Sequence, residues 1–263
     1  MPTGWRAGRS AVWEDRVVAA FTYSNVSDRP PGRFVSVAGV LLPGVRAVQR
    51  EVGPYAAAWE RDNAEAVRSA GPLWVAIGDS MTQGIGASAH DRGYVGQLSH
   101  HLTGRGWGHR LVNLSVTGAR VEDVLDRQLP ALEALMASQG RPALVTVVIG
   151  SNDIFLRRYR ERLLERFTEM LDRLPPCAVV ANLPNPHQEA RQIDTLLQLR
   201  QGDGGLVLAD MMRDGPRSWR GKLASDRFHP NDRGYADMSV AFERALERSG
   251  LTSRDPQVGT DGR

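Results

Sequence analysis

The sequence predicts an α/β protein in three layers, a parallel sheet with helices on both faces. Two observations predict it. Five apolar runs of strand length occupy residues 73–78, 110–116, 143–150, 177–183 and 205–211, and they show almost no polar alternation. Helix-period stretches lie between them at 94–102, 121–137, 155–174 and 189–201, and a last one covers 232–248. Strands that are apolar throughout are buried on both faces, and a helix between consecutive strands supplies the right-handed crossover of a parallel sheet. A chain of 263 residues, 41% hydrophobic and 24% charged, has enough apolar material for such a core.

Each segment has its own reason. Residues 1–43 show no clear period and include SDRPPGR at 27–33, a linker composition, so an extension that is partly disordered is expected there. Residues 44–70 read as an amphipathic helical segment packed on the core. Val45, Val48, Val52, Tyr55, Ala56 and Trp59 recur at three- and four-residue steps, and Pro54 is expected to kink or split the helix. Residues 71–250 hold the α/β domain, and 251–263 form a polar tail expected to be disordered. The arginine- and glutamate-rich stretch 157–170 pairs Arg162 with Glu165 and Arg166 with Glu169 at helical spacing, which is a solvated helix face.

Composition excludes several functions. A net charge of +3, with acidic residues interleaved among the basic ones, does not make a nucleic-acid surface. Of the 33 basic residues only Lys222 is a lysine, a genomic bias rather than a binding feature. The single cysteine, Cys177, opens an apolar run and reads as a buried structural thiol, with no intrachain disulfide possible. No stretch suits a transmembrane helix and the first residues lack a leader pattern, so stable membrane insertion is not expected and a cytoplasmic location is. The N-x-S triplets at Asn25 and Asn113 then carry little meaning. His90, His100, His101, His109 and His187 show no metal-ligand spacing with supporting carboxylates, so neither metal nor cofactor is expected.

In a parallel sheet the ligand sits at the carboxyl ends of the strands. Those ends carry Asp79-Ser80, Thr117-Gly118-Ala119, Ser151-Asn152-Asp153 and Pro184-Asn185-Pro186-His187, and Asp226 and His229 lie just before the last helix. A hydroxyl, a glycine, a carboxamide and an Asp-His pair form the inventory of acyl transfer: nucleophile, base, orienter and oxyanion donors. Singly, each residue has a plainer reading. Ser80 and Asn152 are candidate helix caps, Gly118 a turn glycine and His229 a loop residue.

Together GDSMTQG (78–84), Gly118 in NLSVTGA (113–119), GSND (150–153) and DRFHP (226–230) resemble, in order and spacing, the four blocks of the SGNH, or GDSL, hydrolases. The resemblance covers roughly residues 73–248. It implies a flavodoxin-like, five-stranded SGNH hydrolase fold. It also implies a serine esterase, lipase or acylhydrolase acting on a small-molecule ester through an acyl-enzyme. Ser80 would attack, His229 would act as base and Asp226 would orient the imidazole. The oxyanion donors would be the N–H groups of Ser80 and Gly118 and the amide of Asn152. Asp79 and Asp153 read as loop-fixing acceptors. Met81, Ile154, Phe155, Leu183 and Phe228 adjoin the motifs as candidates for an apolar acyl pocket, which suggests a short or medium acyl chain.

Two alternatives belong to other classes. GIGASA at 84–89 mimics a dinucleotide fingerprint, although its first glycine stands several residues past the strand and no G-K-[ST] follows. A catalytically inactive SGNH-like binding protein is the other; an intact Ser, Gly, Asn and His set argues against it.

Overall fold

The computed structural model describes residues 21–27 and 43–252. Nearly all of the expected extension at 1–43 and of the tail at 251–263 therefore lies outside the described residues.

Two helices, α1 (Pro43–Gln49) and α2 (Val52–Ala66), precede the sheet. The helical segment is split as expected, but at Arg50-Glu51 rather than at Pro54. Pro54 sits in the first turn of α2, where its missing N–H costs nothing. Val48, Ala56 and Trp59 are buried, as the period requires.

The five strands are β1 (Leu73–Gly78), β2 (Arg110–Asn113), β3 (Leu144–Val148), β4 (Ala178–Ala181) and β5 (Val207–Ala209). They pair in the order β2-β1-β3-β4-β5, every neighbour parallel, with Val75 opposite both Val112 and Val145. The strands are shorter than the apolar runs, although past β2 the N–H groups of Leu114 and Val116 still donate to Ala76 O and Gly78 O. The side-chain period of two divides β1 between the faces. Leu73, Val75 and Ile77 pack with one helical layer, and Trp74 and Ala76 with the other.

The crossovers bring in α3 (Ser80–Gln83), α4 (Tyr94–Gly104), α5 (Val121–Asp123), α6 (Leu129–Gln139), α7 (Ser151–Ile154), α8 (Arg157–Arg160), α9 (Leu163–Arg173), α10 (Gln188–Gly202) and α11 (Asp232–Ser249). Between α5 and α6 the chain is wound as a π-helix over Val124–Gln128. That winding sets the buried Gln128 carboxamide against the end of β1. Gly78 N–H donates to its Oε1 at 2.8 Å, and its Nε2 donates to Gly78 O at 2.9 Å.

The helix expected over 155–174 is instead two helices, α8 and α9. Leu163, Phe167, Met170 and Leu171 keep the core side of α9, while Phe155 and Leu156 turn outward. Arg166 pairs with Glu169 at 2.7 Å and Arg157 with Glu161 at 2.7 Å, ion pairs on an exposed face. Cys177 is free and only partly buried; its thiol donates to Pro142 O at 3.3 Å. Among the described residues no helix is long and apolar enough to cross a membrane.

Candidate active site

The strand order reverses its direction of growth at β1, so the crossovers diverge at the carboxyl ends of β1 and β3. Ser80 follows β1 and Asn152 follows β3. Asp79 caps α3 by accepting from Met81 N–H at 3.0 Å, which leaves Ser80 at the first helical position, 4% exposed.

The Asp-His pair comes from a small hairpin after β5. Asn231 N–H donates to Lys222 O at 2.9 Å and Ala224 N–H to His229 O at 2.8 Å, and Arg227 at the tip has φ +58°. Asp226 folds back into this turn. Its Oδ1 accepts the N–H groups of Phe228 and His229, both at 3.0 Å, and its Oδ2 faces His229 Nδ1 at 2.6 Å. Burial alone would raise the Asp226 carboxyl, but the His229 ring and the two N–H groups outweigh it and hold it below its ordinary value. With a proton on Nδ1, Nε2 is an acceptor. It lies 2.9 Å from Ser80 Oγ, across 149 positions of sequence. Hydroxyl, imidazole and carboxylate thus form one hydrogen-bonded line.

Gly118 is exposed and has φ +77°, a left-handed conformation that favours glycine. Neither its N–H nor that of Ser80 finds an acceptor among the described residues. Asn152 Nδ2 donates to Ala119 O at 2.9 Å and, more weakly, to Asp79 Oδ2 at 3.3 Å. The sequence-derived set Ser80, Gly118, Asn152, Asp226 and His229 is therefore gathered at one rim.

Two buried carboxyls stand behind it. Burial pushes Asp79 up to about 6 and Asp153 up to about 7, against the opposing pull of backbone N–H groups. Asp153 Oδ2 accepts Val121 N–H at 3.2 Å, so both aspartates act as loop-fixing acceptors.

The candidate pocket residues divide. Phe228 is 41% exposed, its ring edge-on to His229 with centroids 4.9 Å apart. Phe155, 60% exposed, lies 5.5 Å from Phe228. Met81 is partly buried against the core. Ile154 and Leu183 do not fit the expectation: both are packed in the core, because α7 turns Ile154 inward as it turns Phe155 outward. Of the other histidines, His90 meets Asp62 at 2.8 Å, His109 meets Ser99 at 2.8 Å and His187 meets Glu189. Among the described residues no three His, Cys, Asp or Glu side chains are grouped to hold a metal ion.

Sequence reasoning missed Glu51. Its Oε2 accepts Gly86 N–H at 2.8 Å. A Cβ on Gly86 would meet His229 Cβ at 2.8 Å, so glycine lets this loop lie directly against His229. Burial raises the Glu51 carboxyl, countered by that N–H. A lone glutamate between two helices carries no sequence signal for this role.

A three-layer α/β protein with a serine, histidine and aspartate in hydrogen-bonded line at the strand ends has the architecture of a serine hydrolase. The chain belongs to the GDSL-like lipase/acylhydrolase family, whose model matches residues 76–236. It is similar to Esterase TesA of Pseudomonas aeruginosa, 33% identical over 86 residues, which are 33% of this chain and 40% of that esterase. The chain thus aligns with about two-fifths of the length of that curated relative. Among solved structures, that of TesA superposes with a TM-score of 0.54 at 20% identity, covering 67% of this chain and 98% of the other. An alpha/beta hydrolase enzyme from the Lake Arreo metagenome gives 0.50 at 26% identity, covering 69% and 98%. An acetyl xylan esterase from Geobacillus stearothermophilus gives 0.53 at 19% identity, covering 68% and 95%.

Proposed function

We propose that the chain is a carboxylic ester hydrolase working through an acyl-enzyme on Ser80. The observation that carries this is the line from Ser80 Oγ to His229 Nε2 at 2.9 Å and from His229 Nδ1 to Asp226 at 2.6 Å. Ser80 Oγ attacks the ester carbonyl carbon as its proton passes to Nε2, and Asp226 stabilises the imidazolium. The carbonyl oxygen, now an oxyanion, is met by the free N–H groups of Ser80 and Gly118. It also meets Asn152, whose long bond to Asp79 is the one it gives up. The carbon–oxygen bond to the alcohol breaks as Nε2 returns the proton to the leaving oxygen. Water then attacks the acyl-enzyme by the same route, and the carboxylic acid leaves.

The substrate is a small-molecule ester. The exposed Phe228–Phe155 pair beside the base, with Met81 at the nucleophile, supports an apolar acyl group of short or medium length. Nucleotide binding is disfavoured by the fingerprint-like loop itself, because the Gly86 N–H that would meet a phosphate is already held by a carboxylate.

The test is p-nitrophenyl esters of graded chain length, together with a fluorophosphonate probe. Wild-type protein should turn over the shorter esters and become labelled at Ser80. Labelling elsewhere, or none alongside undiminished turnover, would refute the nucleophile.

A further inference from the structure

The sheet has an open edge at β2, and the way that edge is closed points at the oxyanion loop. Past β2 the chain stays extended. Leu114 N–H and Val116 N–H donate inward to Ala76 O at 2.8 Å and Gly78 O at 3.2 Å. Asn113 and Ser115 therefore turn their backbone groups outward, where the next strand would pair with them. Buried carboxamides occupy that place instead. Asn63 Oδ1 accepts Asn113 N–H at 2.7 Å, and Asn63 Nδ2 donates to Asn113 O at 2.8 Å. Asn25 Nδ2 bridges Asn113 O at 2.9 Å and Ser115 O at 2.8 Å. Asn25 and Gln83 are fully buried, so each bond here lacks competition from water.

The ladder ends at the site. Gln83 Nε2 donates to Asn25 O at 2.9 Å, and its Oε1 accepts the Thr117 hydroxyl. Gln83 closes the helix that begins with Ser80, and Thr117 immediately precedes Gly118. The Gln83 backbone carbonyl is fixed in turn by Trp59 Nε1 at 3.0 Å. One carboxamide thus ties the nucleophile's helix to the loop that offers the Gly118 N–H. Asn25, Trp59 and Asn63, which hold it, all lie before residue 76, outside the stretch that the family model matches.

We propose that Gln83 and Thr117 are positioning residues that set the Gly118 N–H against the reacting carbonyl, and that the N-terminal segment carrying Asn25 is the brace behind them. The role in turnover rests on the ester-hydrolase reading; the positioning of the loop does not. The brace leaves ester binding alone and acts only where negative charge develops on the oxygen, so its loss lowers kcat and spares KM.

The experiment uses the full chain. Thr117→Val keeps the side-chain shape and removes the hydroxyl at a partly exposed position, and Thr117→Ser restores it. Backbone 15N relaxation at Gly118 and Ala119 is measured beside kcat and KM on p-nitrophenyl butyrate. Thr117→Val should loosen both amides, lower the unfolding midpoint by a few degrees because the buried Gln83 Oε1 loses its donor, and lower kcat about tenfold with KM within about twofold. Thr117→Ser should return all of these toward wild type. Unchanged relaxation at Gly118 in Thr117→Val, or failure of Thr117→Ser to restore it, overturns the proposal. An equal change in kcat and KM overturns it as well. Ester turnover that survives Ser80→Ala sinks the hydrolase reading instead, and the relaxation measurement still judges the brace.

Discussion

At the scale of the residue, the proposed mechanism separates groups that would react from groups that hold them. Ser80→Ala should abolish ester turnover while circular dichroism and the unfolding midpoint stay near wild type, because a small, polar, nearly buried side chain is replaced by a smaller one. If Asn152 is an oxyanion donor, as proposed, Asn152→Ala should lower kcat by about a hundred- to a thousandfold, the usual loss for one such donor. The buried carboxyls make a prediction about pH. Asp153 titrates at about 7 in the folded protein against an ordinary 3.8, with burial the main cause. Between those values the folded state keeps a proton that the unfolded state has released, so this group's contribution to stability falls as pH rises through that window and is level above it. Asp153→Asn retains an oxygen for Val121 N–H and removes the titration. Its melting temperature relative to wild type should therefore be higher at pH 8 than at pH 5, by at least ~2 °C. Asp226 works in the opposite sense. Its carboxyl is held below the ordinary value, so it stabilises above that value and loses the effect as pH falls through the depressed one.

At the scale of the element, short segments are held by single buried bonds from long helices. Tyr235 of α11 is fully buried, and its hydroxyl donates to Ile85 O at 2.6 Å. Trp59 of α2 does the same for Gln83 O. These contacts fix the loop between α3 and α4 against which His229 lies. Tyr235→Phe leaves the Ile85 carbonyl buried without its donor and should destabilise by about 1–3 kcal/mol in chemical denaturation. The elements were largely legible in sequence because their apolar period matched their burial. All five strands and α4, α10 and α11 fall within a few residues of their expected bounds. Where the reading erred, local geometry overrode the period. The stretch 155–174 has helical spacing throughout, but Leu156 takes an extended backbone, φ −115° and ψ 122°, and the chain restarts as α8. The π-helix at Val124–Gln128 left no mark on the pattern, since its purpose is the carboxamide bond to Gly78.

At the scale of the whole molecule, the two helical layers share one thin sheet, so neither side is stable without the other. Phe242 of α11 is fully buried and stacks on Tyr94 of α4, with ring centroids 4.9 Å apart. Phe242→Ala should cost about 3–5 kcal/mol in a single cooperative unfolding transition that also releases the opposite layer. A transition in which α10 and its neighbours survive the loss of α11 would refute that coupling. The line from Ser80 to Asp226 is itself a property of the whole molecule, since it joins the end of the first strand to a hairpin after the last.

The alternation of apolar runs and helix-period stretches determined, without coordinates, the sheet, its strand count and the rim where chemistry belongs. The four motif blocks picked out Ser80, Gly118, Asn152, Asp226 and His229, which the fold gathers at one rim, because the proposed chemistry needs groups of particular types and so leaves a trace in composition. Tertiary structure alone decided that Ile154 and Leu183 belong to the core, that Phe155 and Phe228 pair in the open, and that Glu51, Asn25 and Gln83 hold the loops. These roles depend on what lies across a gap in space: an amide or carboxylate is equally at home on a surface, and only its burial beside an unpaired backbone group turns it into a brace.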